Sequence, residues 1–208
     1  RVAAIAEALA GLLWDAMEQH RLILAEEGAL DLIRETGQLY LYRDRAQLAK
    51  DAGGWALRRR HGMRIEELDG ADAIRALEPD MRGDYALGLF IPEQGSCVNP
   101  LRHAQVVARG VQRLGGTIRQ EGGEALLTTG GLIGGVRTAR ETLTADAVVL
   151  AAGAWSARLL APIGIRVPLE TQRGYHVMLP EAGIHLRRPV VPADRKVFIS
   201  PMEGGLRV

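Results

Sequence analysis

The chain has 208 residues, 47% of them apolar and 25% charged, with 26 Lys and Arg against 25 Asp and Glu for a formal charge of +1. That is the composition of a folded globular protein with enough chain to bury a core. It excludes a helical membrane span, since no apolar run approaches the roughly 20 residues one needs. It also excludes the charge footprint of a nucleic-acid binder and, with Cys97 as the one cysteine, any disulfide framework or multi-cysteine metal site. A reducing, cytoplasmic setting is the expectation, and no signal-peptide pattern is visible.

The first residues already read as an amphipathic helix, with Ile5, Leu9, Leu12, Leu13, Ala16, Ile23 and Leu24 recurring mostly at three and four residues. A start inside a helix and a stop at Leu206-Arg207-Val208, where a strand would be opening, suggest a piece of something longer. Gly37 to Tyr42 alternates and carries two tyrosines, as a strand does. Asp44 with Gln47 resembles a capping box and opens a second helix, expected to break at Gly53-Gly54. A short helix is expected over 72–77, stopped by Glu78-Pro79, and a strand over 85–91. Asn99 then Pro100 open a well-defined helix with Leu101, Val106, Val107, Val111 and Leu114 on its apolar face and Gly115-Gly116 as its stop. A strand over 117–120 follows, then a small β-meander around Leu126 and Val136 with Gly130-Gly131 between. Ala147 to Ala151 reads as a strand buried on both faces. The later runs 168–170, 174–179 and 196–200 are strand-like, and the last two are expected to share one mostly antiparallel sheet with 37–42.

No G-x-G occurs anywhere, so the dinucleotide fingerprint is absent, as is the Walker sequence. The five histidines show no metal spacing, Ser156 and Ser200 lack the nucleophile-elbow context, and Cys97 reads as inert. The informative stretch is Val148-Val149-Leu150-Ala151-Ala152-Gly153-Ala154-Trp155-Ser156. Small residues ending a buried strand let a ligand approach the backbone, and open α/β sheets bind ligands at such ends. The same residues also fit a tight strand-to-helix turn with Trp155 as packing.

The run Ala145 to Ser156 resembles the second flavin-contacting motif of the FAD-dependent amine and amino-acid oxidoreductases, the family of D-amino acid oxidase, glycine oxidase, sarcosine oxidase and bacterial D-amino acid dehydrogenase. Gly95 to Pro100 with its helix, Gly115-Gly116-Thr117-Ile118, Val167-Pro168-Leu169 with Arg173-Gly174-Tyr175-His176, Gly37 to Tyr42, and Glu78-Pro79 fit that family in order and spacing, closest to its D-amino acid dehydrogenase branch. The resemblance implies a mixed α/β and α+β fold. In it a partial FAD-binding Rossmann-like domain (1–36 and 93–162) is interleaved with an antiparallel-sheet substrate domain (37–92 and 163–208). It implies FAD as cofactor, with Ala125, Ala151, Ala152, Gly153 and Trp155 beside it, and a substrate side formed by Tyr175, His176 and Arg173. Tyr175 is favoured over His176 as the inward residue, because alternation turns only one of the two inward. A surface position for Arg173 and a packing or solvent role for the two aromatics fit the residues as well.

The implied chemistry is hydride transfer from the α-carbon of a D-amino acid or secondary amine to the flavin, with no obligatory side-chain base. A dehydrogenase of this kind passes its electrons to a membrane quinone, through peripheral contact with the cytoplasmic face of the inner membrane; an oxidase passes them to oxygen. The family's G-x-G-x-x-G segment, its closing Gly-rich segment and its usual carboxylate-binding Arg have no counterpart in residues 1–208. A non-catalytic fragment or subunit without its own flavin is the alternative reading, and a tRNA-modifying flavoprotein is disfavoured by the near-neutral charge.

Overall fold

The computed structural model describes residues 1–208. The opening helical stretch is two helices, α1 (Val2–Leu13) and α2 (Ala16–Glu26), parted at Trp14 and Asp15. α1 buries nothing, whereas α2 turns Leu24 onto Ala29, Leu32 and Val106. β1 (Ile33–Arg34) leads to β2 (Gln38–Tyr42). Gly37 joins them at φ +73°, and a side chain there would run into the Phe90 ring and, at 2.8 Å, the carbonyl oxygen of Ile91. α3 (Arg45–Lys50) begins with a reciprocal cap: the Gln47 N–H donates to Asp44 Oδ1 at 2.7 Å, and the Arg43 N–H donates to Gln47 Oε1 at 2.8 Å. α4 (Ala52–Arg60) follows after a break at Asp51, ahead of the expected Gly53-Gly54, which lie inside the helix.

β3 (Glu66–Asp69), α5 (Gly70–Leu77), β4 (Leu87–Ile91) and β5 (Ser96–Cys97) come next. α6 (Pro100–Arg113) opens as expected, with the Arg102 N–H donating to Asn99 Oδ1 at 3.0 Å. Of its apolar face only Val106 is buried; Leu101 and Leu114 are exposed. From Thr117 to Tyr175 the chain forms a second compact unit holding β6 (Gly123–Thr129), β7 (Leu132–Thr138), β8 (Thr142–Thr144) and α7 (Ser156–Leu160). It then rejoins the first unit with β9 (Met178–Leu179), β10 (Val190–Pro192), β11 (Ser200–Met202) and β12 (Gly205–Arg207).

The first unit is built on a four-stranded sheet ordered β10-β2-β4-β3, antiparallel except for β10 beside β2. All five residues of β4 are buried, because both faces of this strand are covered. On one face Leu87, Leu89 and Ile91 pack with Tyr42 and Trp55 of α4; on the other Phe90, Leu39 and Leu41 pack with Ile74 of α5 and with Leu186, Val190 and Leu206. Each such side chain contributes about 1.5–3 kcal/mol by leaving water. Glu78, ending α5, is fully buried: its Oε1 accepts from the Arg187 N–H at 2.9 Å and its Oε2 from Arg188 Nε at 3.2 Å. Arg188 also donates to the carbonyls of Thr36 (2.7 Å) and Leu77 (3.0 Å), which ties β2, α5 and the approach to β10 together.

Residues 168–170 form no strand, and of 196–200 only Ser200 joins one. Three further strand expectations fail. Residues 117–120 and 147–151 form no strand, and Val149 is 88% exposed. An apolar strand buried on both faces needs hydrogen-bonded neighbours on both edges, and the one sheet of this unit, ordered β6-β7-β8, lends it none. Residues 174–177 belong to no strand either, and β9 and β11 lie with β12 in a separate three-stranded sheet ordered β11-β12-β9. Only the bridge between Val190 and Ile199 links that sheet to the one holding 37–42, since Asp194 to Lys196 turn the chain out of register between them. The meander does form. The β6–β7 hairpin turns through Gly130 and Gly131 at φ +59° and +83°, the left-handed pair a two-residue hairpin loop demands.

Candidate functional site

Within the second unit, the chain leaves the meander, passes through the exposed stretch around Val149 and makes a single 3₁₀ turn over Gly153–Trp155 before α7. Gly153 sits at φ +53°, a conformation that costs an L-residue roughly 1–2 kcal/mol. A Cβ there would meet nothing within 4 Å. The turn faces an open cleft of about 850 Å³ lined by Ala151, Ala152, Gly153 and Trp155 together with Gly122, Gly123, Glu124, Arg158 and Leu159. That volume lies in the range of small-molecule and cofactor sites.

Four of the five residues expected at the cofactor therefore share one cleft. The fifth, Ala125, stands on β6 opposite Arg137, adjacent in sequence to the lining residue Glu124 but not itself in the lining. Trp155 is 70% exposed and packs no core. The charged lining consists of Glu124, whose carboxylate has the Arg137 guanidinium at 3.9 Å, and Arg158, which pairs with no carboxylate of the chain. Arg158, Gly122 and Gly123 escape sequence reading: a Gly pair ahead of a strand is ordinary turn material, and an Arg on a helix is ordinarily a solvated face.

Bare backbone, small side chains, one free aromatic face and one unpaired guanidinium suit a planar, anionic ligand. FAD fits that description.

The expected substrate residues are dispersed. Arg173 and Tyr175 are exposed in the irregular stretch that closes the second unit, Tyr175 at 86%. His176 belongs to the first unit, where Arg207 of β12 places Nη2 3.4 Å from its Nδ1. Elsewhere in the first unit, His20 and His103 meet edge to face at 4.9 Å, and burial, then the neighbouring His20, holds His103 below the usual imidazole range. No three His, Cys, Asp or Glu side chains converge as a metal site.

The family model described as "DAO: FAD dependent oxidoreductase" matches residues 2–208. The chain belongs to that family. It is 34% identical over 207 residues to a D-amino-acid oxidase of Bradyrhizobium diazoefficiens, covering all of this chain and 49% of that protein. It is 34% identical over 183 residues to a D-amino acid dehydrogenase of the same organism, covering 84% of this chain and 42% of that protein. The chain thus spans about half the length of the curated relatives it matches. In fold it is similar to glycine oxidase from Bacillus cereus ATCC 14579, with a TM-score of 0.71 at 18% identity over 98% of this chain and 55% of that one. The mixed helix-and-sheet architecture with antiparallel sheets is that of the family.

Proposed function

We propose that the full-length protein binds FAD and oxidises D-amino acids. The observation that carries this reading is the gathering of Ala151, Ala152, Gly153 and Trp155 around one cleft whose backbone is left bare at Gly153. Bound FAD would supply the acceptor for the hydride leaving the substrate α-carbon. The substrate loses that hydride and its amine proton to become an imino acid, which water converts to a 2-oxo acid and ammonia. The chain's own part is positional. The small residues would leave room for the cofactor beside the backbone, and Arg158 would offer charge to its anionic portions.

This reading includes the four-segment organisation, with 1–36 and 93–162 serving the cofactor and 37–92 with 163–208 serving the substrate. The shared core of Leu39, Leu41 and Phe90 with Leu186, Val190 and Leu206 supports grouping the last two segments. Ala125 completes the cofactor side and Tyr175, His176 and Arg173 the substrate side.

The reading also places the protein at the cytoplasmic face of the inner membrane with quinone as electron acceptor. That preference rests on the relatives named dehydrogenases. No helix of these 208 residues is long and apolar enough to cross a membrane. The test is steady-state turnover of a D-amino acid with a quinone analogue against oxygen as acceptor: reduction of the analogue without hydrogen peroxide is expected. Failure of every D-amino acid to reduce the bound flavin would overturn the reading.

A further inference from the structure

The hairpin turn between β11 and β12 is stitched to the opening of α6 by two separate bridges. Met202 pairs with Gly205, which leaves Glu203 and Gly204 as the loop. The first bridge runs along the backbone: the Glu203 N–H donates to the Val98 carbonyl at 3.1 Å, and the Val98 N–H donates to the Leu32 carbonyl at 2.9 Å. The second is made by side chains. The Glu203 carboxylate accepts from Asn99 Nδ2 at 2.7 Å and from the Arg102 guanidinium, whose other terminal nitrogen donates to Asp31.

Arg102 thus joins a carboxylate 71 residues before it to one 101 residues after it. A guanidinium presents its donors in one rigid plane, so it fixes the spacing of its two partners as an ammonium does not. Asn99 is engaged at both ends of its carboxamide, with Oδ1 capping α6 and Nδ2 holding Glu203. The hydrogen bond from Arg102 holds the Asp31 carboxyl below the usual carboxylate range. The hairpin is stiff enough to transmit what its turn is tied to. β12 pairs with β9 along its other edge, Leu206 is buried in the core, and a Cβ on Gly205 would strike the backbone of Leu179 and Pro180.

We propose that Arg102 is a positioning residue for substrate oxidation: by bridging Asp31 and Glu203 it fixes the β11–β12 hairpin, on the substrate side, against α6, on the cofactor side. This rests on the amino-acid oxidation and the grouping of segments proposed above. None of the three residues lines the cleft at Gly153, so their contribution is to placement alone. Transfer between substrate and cofactor is sensitive to displacements of about 1 Å, so loosening the bridge slows the step at saturating substrate rather than weakening substrate binding. Both ion pairs are partly exposed and add little to stability. The backbone bridge through Val98 is untouched by changes to the Arg102 side chain, so the hairpin stays attached but less firmly placed.

The test uses the full-length protein loaded with FAD. It follows flavin bleaching by D-alanine in anaerobic stopped flow, well below the melting temperature of each variant, with a thermal melt alongside. Arg102→Met is expected to lower the limiting rate of bleaching about tenfold, with the D-alanine Kd within about twofold of wild type. Arg102→Lys serves one carboxylate at a time and is expected to recover part of the loss. Glu203→Gln keeps the shape of the side chain and its bond from Asn99. It is expected to slow bleaching about threefold in the wild-type background and to add nothing in Arg102→Met, because both changes act through one contact. Glu203→Gln alone, read as rate against Kd, decides the matter if Arg102→Met does not retain flavin. A wild-type bleaching rate in Arg102→Met or in Glu203→Gln, losses that multiply in the double variant, or a loss confined to the thermal melt would overturn the positioning role while leaving amino-acid oxidation standing. A wild-type flavin that no D-amino acid bleaches would overturn both.

Discussion

Gly153→Val separates backbone strain from cofactor space, because Gly183 offers a matched control. Both glycines lie at positive φ, +53° and +70°, and a Cβ on either would meet nothing within 4 Å. Valine at either position costs about 1–2 kcal/mol for the left-handed conformation, with its branched Cβ adding to that cost. No overlap with the chain itself adds to it. The two variants should therefore lose similar stability in urea unfolding. They should part in cofactor affinity, because Gly153 lines the cleft with Ala151, Ala152 and Trp155 while Gly183 belongs to the loop between β9 and β10. FAD titration followed by flavin fluorescence should show at least about a tenfold weaker Kd for Gly153→Val, equivalent to about 1.4 kcal/mol, and a wild-type Kd for Gly183→Val. Equal FAD affinity in the two variants would refute the placement of the cofactor at 151–155.

Other outcomes follow from the first unit. Glu78→Ala leaves the Arg188 guanidinium and the Arg187 N–H without their buried acceptor and should cost about 3–5 kcal/mol by urea denaturation; a loss under 1 kcal/mol would show the pair to be dispensable. Trp55→Phe removes the 2.8 Å bond from Trp55 Nε1 to the Tyr42 hydroxyl and should cost about 1–2 kcal/mol, read the same way. Burial, with Asp51 adding to it, pushes the Tyr42 phenol up to about 12. Its stabilising share is therefore whole below pH 10 and drains away as pH rises toward 12. Thermal melts across that window should fall less steeply in Tyr42→Phe, and parallel slopes would refute the assignment. The isolated 208-residue chain should purify colourless, and one FAD per chain in a yellow preparation would contradict that.

Local chemistry was legible wherever a few neighbouring residues decide the outcome. Asp44 with Gln47, Asn99 with Pro100, and Gly130-Gly131 each carry their hydrogen-bond partner or required φ within four residues, and each formed as read. The apolar periodicity of α1 and α2 was also legible, though not the interruption at Trp14 and Asp15. The failures share a cause. Whether 117–120 or 147–151 becomes a strand depends on a neighbour to pair with, and no local pattern reports one. Val190–Pro192 pairs parallel with β2 across about 150 residues of chain and shows no alternation to announce it. Four cleft residues were legible because they lie within one short stretch of sequence, Ala151 to Trp155. The Glu78–Arg188 pair and the meeting of His176 with Arg207 were not, since each joins residues far apart in sequence that only the sheets bring together.

Anaerobic titration of the full-length flavoprotein with a D-amino acid, followed by the oxidised-flavin absorbance, tests the proposed oxidation most directly. Bleaching of the band by one equivalent of the D-enantiomer, with release of the matching 2-oxo acid and little response to the L-enantiomer, is the expected result. A band that persists through excess D-amino acid, or that bleaches equally with the L-enantiomer, would contradict it.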